Sequence, residues 1–228
     1  MAQTESTVHV RPYNPDMDYD VVVRVFRETI GDNLHFEPAH TLSTYAWCRP
    51  YLLLSPSTCF VLSSSSSDGT SCSPGEPVGF ILGTPSTMTF AQRWRISFLA
   101  SVDRMVCPEP AIPDGDERGW DLNWDDDPVG TLQRVIWGPE RYPAHLHIDI
   151  LPAYQRKGCG GQLMTVFLQK VKEEGASGCH IIMPASNIDA RRFYGRHGFR
   201  MYEKSMNDGG SGEPGILKDG SVCLVREL

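Results

Sequence analysis

The chain has 228 residues, 40% hydrophobic and 21% charged, a composition that suits a globular protein burying a sizeable core in one domain. A net charge of -7 argues against nucleic acid as a partner, since phosphate binding calls for a basic stripe. No run approaches the roughly 18 apolar residues of a membrane span, so no membrane partner is expected.

Met1 to Thr7 has neither the basic start nor the apolar stretch of a secretory signal; a cytoplasmic location is expected, with the nucleus as the alternative. Val8 to Arg11 reads as a first strand. Asp16 to Ile30 reads as a helix with Val21, Val22, Val25, Phe26 and Ile30 toward the core. A second helical segment, Thr41 to Leu54, carries Tyr45, Trp47, Tyr51 and Leu52, and Pro50 should kink or shorten it. Between the two helices, His35, Phe36, Glu37 and His40 read as loop residues rather than substrate contacts. Thr58 to Ser63 and Pro77 to Thr84 pair as a hairpin across a serine-rich, low-complexity loop at 64–76.

Met88 to Val106 looks helical, with Phe90, Trp94, Ile96, Phe98 and Leu99 as candidates for burial. An insertion at about 106–143 then places nine acidic side chains against three arginines and accounts for most of the net charge of -7. Trp120, Trp124 and Trp137 are interleaved with the acids. Two readings stand: a solvated loop pinned by tryptophans, or a cover in which Trp120, Trp124 and Asp125 meet a cationic or sugar-like amine.

From His145 to Ile150 the residues alternate, with Leu146, Ile148 and Ile150 on one face and His145, His147 and Asp149 on the other, the pattern of a half-buried strand. Pro152 ends it. Gln155, Arg156, Lys157, Gly158, Cys159, Gly160 and Gly161 follow, and then Leu163, Met164, Phe167, Leu168 and Val171 at helical spacing. Glycines at a helix start let the backbone come close to an anion while first-turn N–H groups point at it. Neither Gly-x-Gly-x-x-Gly nor Gly-x4-Gly-Lys-Ser/Thr is present. Gly175 to Gly178 stops the helix, and His180 to Met183 is an apolar strand. Asn187 then caps a helix whose Ala190, Phe193 and Tyr194 share a face and which Gly198 ends. Residues 198–206 and 219–227 read as the last two strands.

The Gln-x-x-Gly-x-Gly spacing at Gln155–Gly160 resembles the acetyl-CoA pyrophosphate loop of the GNAT superfamily of N-acetyltransferases. Asn187, Ala190, Phe193, Tyr194, Gly198 and Phe199 match the Asn-x-x-Ala-x-x-Phe/Leu-Tyr-x-x-x-Gly-Phe pattern of the same superfamily. A looser resemblance, carried by Gly79 to Thr84, the long insertion, the His147–Asp149 strand and Val222 to Leu228, is to the C-terminal acetyltransferase-like domain of O-GlcNAc hydrolases and its stand-alone microbial relatives. With no hydrolase domain present, glycosidase activity is not expected.

The resemblance implies an α/β (α+β) fold over 1–228 as a single domain: a mixed, mostly antiparallel sheet of about seven strands flanked by helices, with splayed fourth and fifth strands. It implies acetyl-CoA as cofactor, with CoA as product and no metal. The cofactor-binding residues it implies are Ile150, Leu151, Gln155, Arg156, Lys157, Gly158, Cys159, Gly160, Gly161, Asn187 and Tyr194. Cys159 should pack beneath the loop rather than act as a nucleophile. Asp149 or His147 is the expected base, and Tyr194 the expected donor to the CoA sulfur. The implied function is acetyl transfer to a primary amine of a small molecule, an amino sugar or other cationic amine, or to a protein lysine. An acetyl-CoA-binding sensor or interaction module without turnover is the alternative. The oligomeric state is open, a homodimer being one option. The seven scattered cysteines contain no C-x-x-C pair and read as reduced thiols.

Overall fold

A computed structural model of the protein describes residues 7–37, 39–65, 75–103, 105, 141–203, 215–216 and 220–228. The apolar, β-branched stretches form one sheet of seven strands: β1 (Thr7–Pro12), β2 (Phe60–Ser65), β3 (Glu76–Thr84), β4 (Ala144–Ile150), β5 (Gly178–Pro184), β6 (Arg200–Met201) and β7 (Ser221–Glu227). Their spatial order is β1-β2-β3-β4-β5-β7-β6. Every neighbouring pair is antiparallel except β4 and β5. That parallel pair is joined at only two rungs, Ala144 with Cys179 and His145 with His180, before the strands diverge. The expected fold class and the splayed fourth and fifth strands are therefore present.

Helices cover both faces. On one lie α1 (Pro15–Thr29), α2 (Ala39–Trp47), α3 (Arg49–Leu54) and α4 (Thr87–Arg93), packed through Val22, Phe26, Tyr51, Phe90, Trp94 and Phe98 against Val61, Phe80 and Leu82. On the other lie α5 (Cys159–Glu173) and α6 (Ile188–Arg196), where Leu163, Met164, Phe167, Leu168 and Val171 bury the apolar stripe of α5 against Leu62, Ile81 and Leu146. Phe167 is fully buried, and truncating it to alanine should cost about 3–5 kcal/mol.

Several sequence expectations shift in detail. The segment expected at Thr41 to Leu54 breaks at Cys48, with Pro50 in the first turn of α3, where its missing N–H costs nothing. β2 begins at Phe60 because Pro56–Thr58 form a 3-10 turn, and it extends two residues into the serine tract. The helix expected from Met88 ends sooner: α4 runs into a π turn at Trp94–Phe98, closes at Leu99–Ser101 and is extended at Val102. That turn directs Trp94 and Phe98 inward and leaves Ile96 74% exposed, against the expectation that Ile96 is buried. Of the strand expected at 198–206, the described residues pair at Arg200–Met201, and 204–206 lie outside the described residues. His40 belongs to the first turn of α2 and clamps α1, with Nε2 donating to the Arg27 carbonyl at 3.0 Å.

Candidate functional site

Two sets of residues converge where β4 leaves β5. The first is the turn between β4 and α5. Gln155 Nε2 donates to the Ile150 carbonyl at 2.7 Å and folds the chain back on the end of β4, while the Leu151 N–H is held by the Val78 carbonyl at 2.9 Å. Arg156 then adopts φ 62° and Gly158 φ 83°, both left-handed. The N–H groups of Arg156, Lys157, Gly158, Cys159 and Gly160 meet no acceptor among the described residues. The Gly161 N–H, by contrast, already bonds to the Gly158 carbonyl at 3.1 Å. A Cβ placed on Gly158 would meet nothing within 4 Å, so the turn opens onto free space. Five such donors at the positive end of a 15-residue helix make a cradle that could hold an anion such as a pyrophosphate.

Around that cradle the side chains take separate duties. Cys159 is buried in the α5 core, as expected of a residue beneath the loop. Gly160 lies against α6, since a Cβ there would stand 3.2 Å from Phe193 Cε2. Lys157 Nζ lies 5.7 Å from the centre of the Tyr154 ring, and exposed Arg156 pairs with Asp189 at 3.5 Å. Asn187 is the N-cap of α6, its Oδ1 accepting from the Ala190 N–H at 3.0 Å, and Gly198 in the left-handed region ends that helix.

The second set lies on the His145–His147–Asp149 side of β4. This side is not the solvent face of a half-buried strand, because α1, α3 and α4 cover it and leave His145 5% exposed. Its polar groups are paired instead. Tyr51 Oη, from α3, lies 2.7 Å from His145 Nε2 and 3.2 Å from His147 Nε2. Thr87 Oγ1, from α4, lies 2.7 Å from His145 Nδ1 and 2.8 Å from the Pro143 carbonyl. Phe90 stacks on the Tyr51 ring at 4.4 Å and holds it in place. A cavity of about 30 Å³ at the divergence is lined by Tyr51, His145, His147, His180 and Ile182.

Asp149 differs from these neighbours. It is partly buried, yet its carboxylate has no hydrogen bond or ion pair with any described residue. Burial pushes its pKa up to about 7 and that of His147 down to about 4. Tyr194 is 8% exposed, packed between Phe193 and Phe199. Its phenol is pushed above the usual value, first by burial and then by the charge of Asp149. Sequence reasoning named His147, Asp149 and Tyr194 but missed the Tyr51–His145–Thr87 set. Histidines at 145, 147 and 180 in otherwise apolar strands were the available signal, because buried imidazoles require partners.

Trp120, Trp124 and Asp125 lie outside the described residues. Among the described residues no group of three or more His, Cys, Asp or Glu side chains is placed to hold a metal. Nor is any described helix long and apolar enough to cross a membrane.

Comparison with known proteins agrees with this geometry. Residues 93–199 match the profile of the Acetyltransferase (GNAT) family. The structure of SsHAT is similar over 97% of this chain and 98% of that one, with 32% identity and a TM-score of 0.68. PH1933 from Pyrococcus horikoshii OT3 shares the fold at 11% identity and a TM-score of 0.54, covering 97% of this chain and 99% of its own. The PaiA N-acetyltransferase from Thermoplasma acidophilum, solved in complex with coenzyme A, does so at 12% identity and a TM-score of 0.52, with 97% and 99% covered. The anion cradle, the splayed strands and these matches together establish that the chain belongs to the GNAT acetyltransferase family.

Proposed function

We propose that the protein transfers an acetyl group from acetyl-CoA to a primary amine, either of a small molecule such as an amino sugar or of a protein lysine. The observation that carries this reading is the Asp149 carboxylate, without a partner among the described residues on the strand that leaves β5. Buried carboxylates without partners are costly, and such groups concentrate where proton transfer is done. The five N–H groups of the Arg156–Gly160 turn, without acceptors among the described residues, fit a pyrophosphate and would hold that part of the cofactor.

Bound acetyl-CoA would supply an activated acetyl group as a thioester. The residues of the chain supply the proton traffic. An amine reaches the protein as an ammonium ion, and Asp149, with a pKa raised to about 7, is matched to take its proton at neutral pH. His147, at about 4, is a weak base and stays neutral there. Tyr194 keeps its proton firmly on Oη, in the state a donor to a leaving thiolate needs. The acidic composition of residues 106–143 supports a cationic acceptor, and the looser resemblance to the acetyltransferase-like domains of O-GlcNAc hydrolases supports an amino sugar among the candidates.

The experiment is CoA release from acetyl-CoA measured against amino sugars, polyamines, amino acids and lysine peptides, alongside calorimetry of acetyl-CoA itself. Turnover with one class supports the transferase. Binding without turnover supports a sensor or interaction module, and failure to bind overturns both.

A further inference from the structure

The hydrogen bonds around Tyr51 run in one direction only, and that direction fixes where protons sit. The chain starts at the Pro143 carbonyl, which can only accept. Thr87 Oγ1, 2.8 Å away, therefore donates to it. With its one proton committed, the Thr87 hydroxyl meets His145 Nδ1 at 2.7 Å as an acceptor, so His145 carries its proton on Nδ1. His145 is 5% exposed, and burial with His180 and His147 nearby holds its pKa well below the usual value, so the ring is neutral and Nε2 is a lone pair. Tyr51 Oη, 2.7 Å from that nitrogen, donates to it. Its proton spent, Tyr51 meets His147 Nε2 at 3.2 Å as an acceptor. His147 must then carry its proton on Nε2.

We propose that Tyr51 is a positioning residue that locks His147 as the Nε2–H tautomer, so that His147 Nδ1 accepts an N–H of the acceptor amine and holds it for deprotonation by Asp149. The second half of this rests on the transferase reading. His147 and Asp149 lie two residues apart on one side of β4, and His147 borders the cavity of about 30 Å³ where the strands part. An ammonium ion bound between His147 and Asp149 gives one proton to the Asp149 carboxylate and keeps another N–H on His147. The lone pair so formed points along the lost N–H bond toward Asp149, and a turn of the amine about the N–H held by His147 brings it round to attack. A histidine in the opposite tautomer would present an N–H to the ammonium ion and repel it.

The chain also assigns opposite tautomers to histidines two residues apart, Nδ1–H for His145 and Nε2–H for His147. Long-range ¹H–¹⁵N spectra of the protein labelled with ¹⁵N-histidine, assigned by comparison with His147→Gln, read this directly at neutral pH without cofactor or turnover. Tyr51→Phe keeps the ring stacked on Phe90 and removes only the hydroxyl. It should let His147 populate both tautomers, and Thr87→Val should do the same to His145. With any amine the parent turns over, Tyr51→Phe should raise the acceptor KM roughly 10-fold, the loss expected for one hydrogen bond, with acetyl-CoA affinity unchanged. An Nδ1–H tautomer at His147 in the parent, a His147 spectrum unmoved by Tyr51→Phe, or parental acceptor kinetics in that variant overturns the role of Tyr51. Lack of turnover in the parent counts against the transferase reading alone, since the tautomers are read independently.

Discussion

His145 and His180 face each other across the last rung of the β4–β5 ladder, with ring centroids 5.5 Å apart and neither ring exposed. Burial holds His180 down to about 4, His147 to about 4 and His145 well below the usual value. The same side chains protonate near pH 6.5 in an unfolded chain. Between pH 6.5 and about 4 the unfolded state therefore binds protons that the native state refuses, and stability falls as pH drops through that window. Asp149 works the other way, since its folded pKa of about 7 lets the native state hold a proton the unfolded chain lacks. Three histidines outweigh one carboxyl. Urea unfolding at pH 7 and pH 4.5 should show the loss, and in His180→Gln it should be smaller by about 2–3 kcal/mol. Equal stability of the parent at the two pH values would contradict the assignment.

Replacing Asp149 by asparagine should lower turnover by roughly 10- to 1000-fold with little change in acetyl-CoA affinity, the range for losing a positioned base. Because the base works ionised, activity of the parent should rise with pH through about 7, and this limb should vanish in Asp149→Asn. The pH profile of kcat/KM for both proteins checks it.

For Tyr194 the expected loss lies in kcat. Tyr194→Phe removes one hydroxyl from a ring already packed between Phe193 and Phe199, so the fold should be unaffected. A drop of roughly 10- to 1000-fold in kcat with unchanged melting temperature is expected. A variant as fast as the parent would reduce Tyr194 to a packing residue.

The cradle is best tested at Gly158. An alanine there would find open space but would have to hold φ 83°, at a cost of about 1–2 kcal/mol. The turn should relax and the N–H groups lose their common aim, weakening acetyl-CoA binding at least 10-fold by calorimetry, roughly the 1.4 kcal/mol of one decade. Gly160 is a poorer target because a side chain there presses on Phe193 and disturbs α6 as well.

Changing Asp125, Asp126 and Asp127 together to asparagine should raise the acceptor KM at low salt and leave the acetyl-CoA KM nearly unchanged. Several carboxylates concentrate a cation, and salt screens that field over about 8 Å at physiological ionic strength. An acceptor KM that ignores both the triple change and salt would leave the segment without a part in selection.

The seven strands, the α5 stripe and the Asn187 cap were legible because period and capping chemistry are local: Leu163, Met164 and Phe167 recur at helical spacing whatever they touch. The glycine turn was legible for the same reason. What stayed hidden depends on contacts distant in sequence. Tyr51 reads as one more aromatic on an amphipathic helix, and only folding sets it 2.7 Å from a histidine 94 positions away. The polar side of β4 looked like a surface because alternation signals two different faces without saying what covers each. Ile96 was misplaced because a π turn changes the helical period from which its burial was read.

Two rungs are few for indexing one strand against another. A one-residue slip between β4 and β5 would sacrifice only a pair of ladder contacts, yet it would exchange the sides of every β5 residue relative to β4. The ladder is too short to forbid that, so the burden falls on side chains that span the join. Tyr142 accepts through its carbonyl from His180 Nδ1 at 2.7 Å, and α5, which connects the two strands, seats Cys179 and Ile181 beside Leu146 in one core. The halves of the sheet are therefore kept in step by a lateral clasp of imidazole and hydrocarbon. The gap between them stays open because so little backbone is spent on closing it.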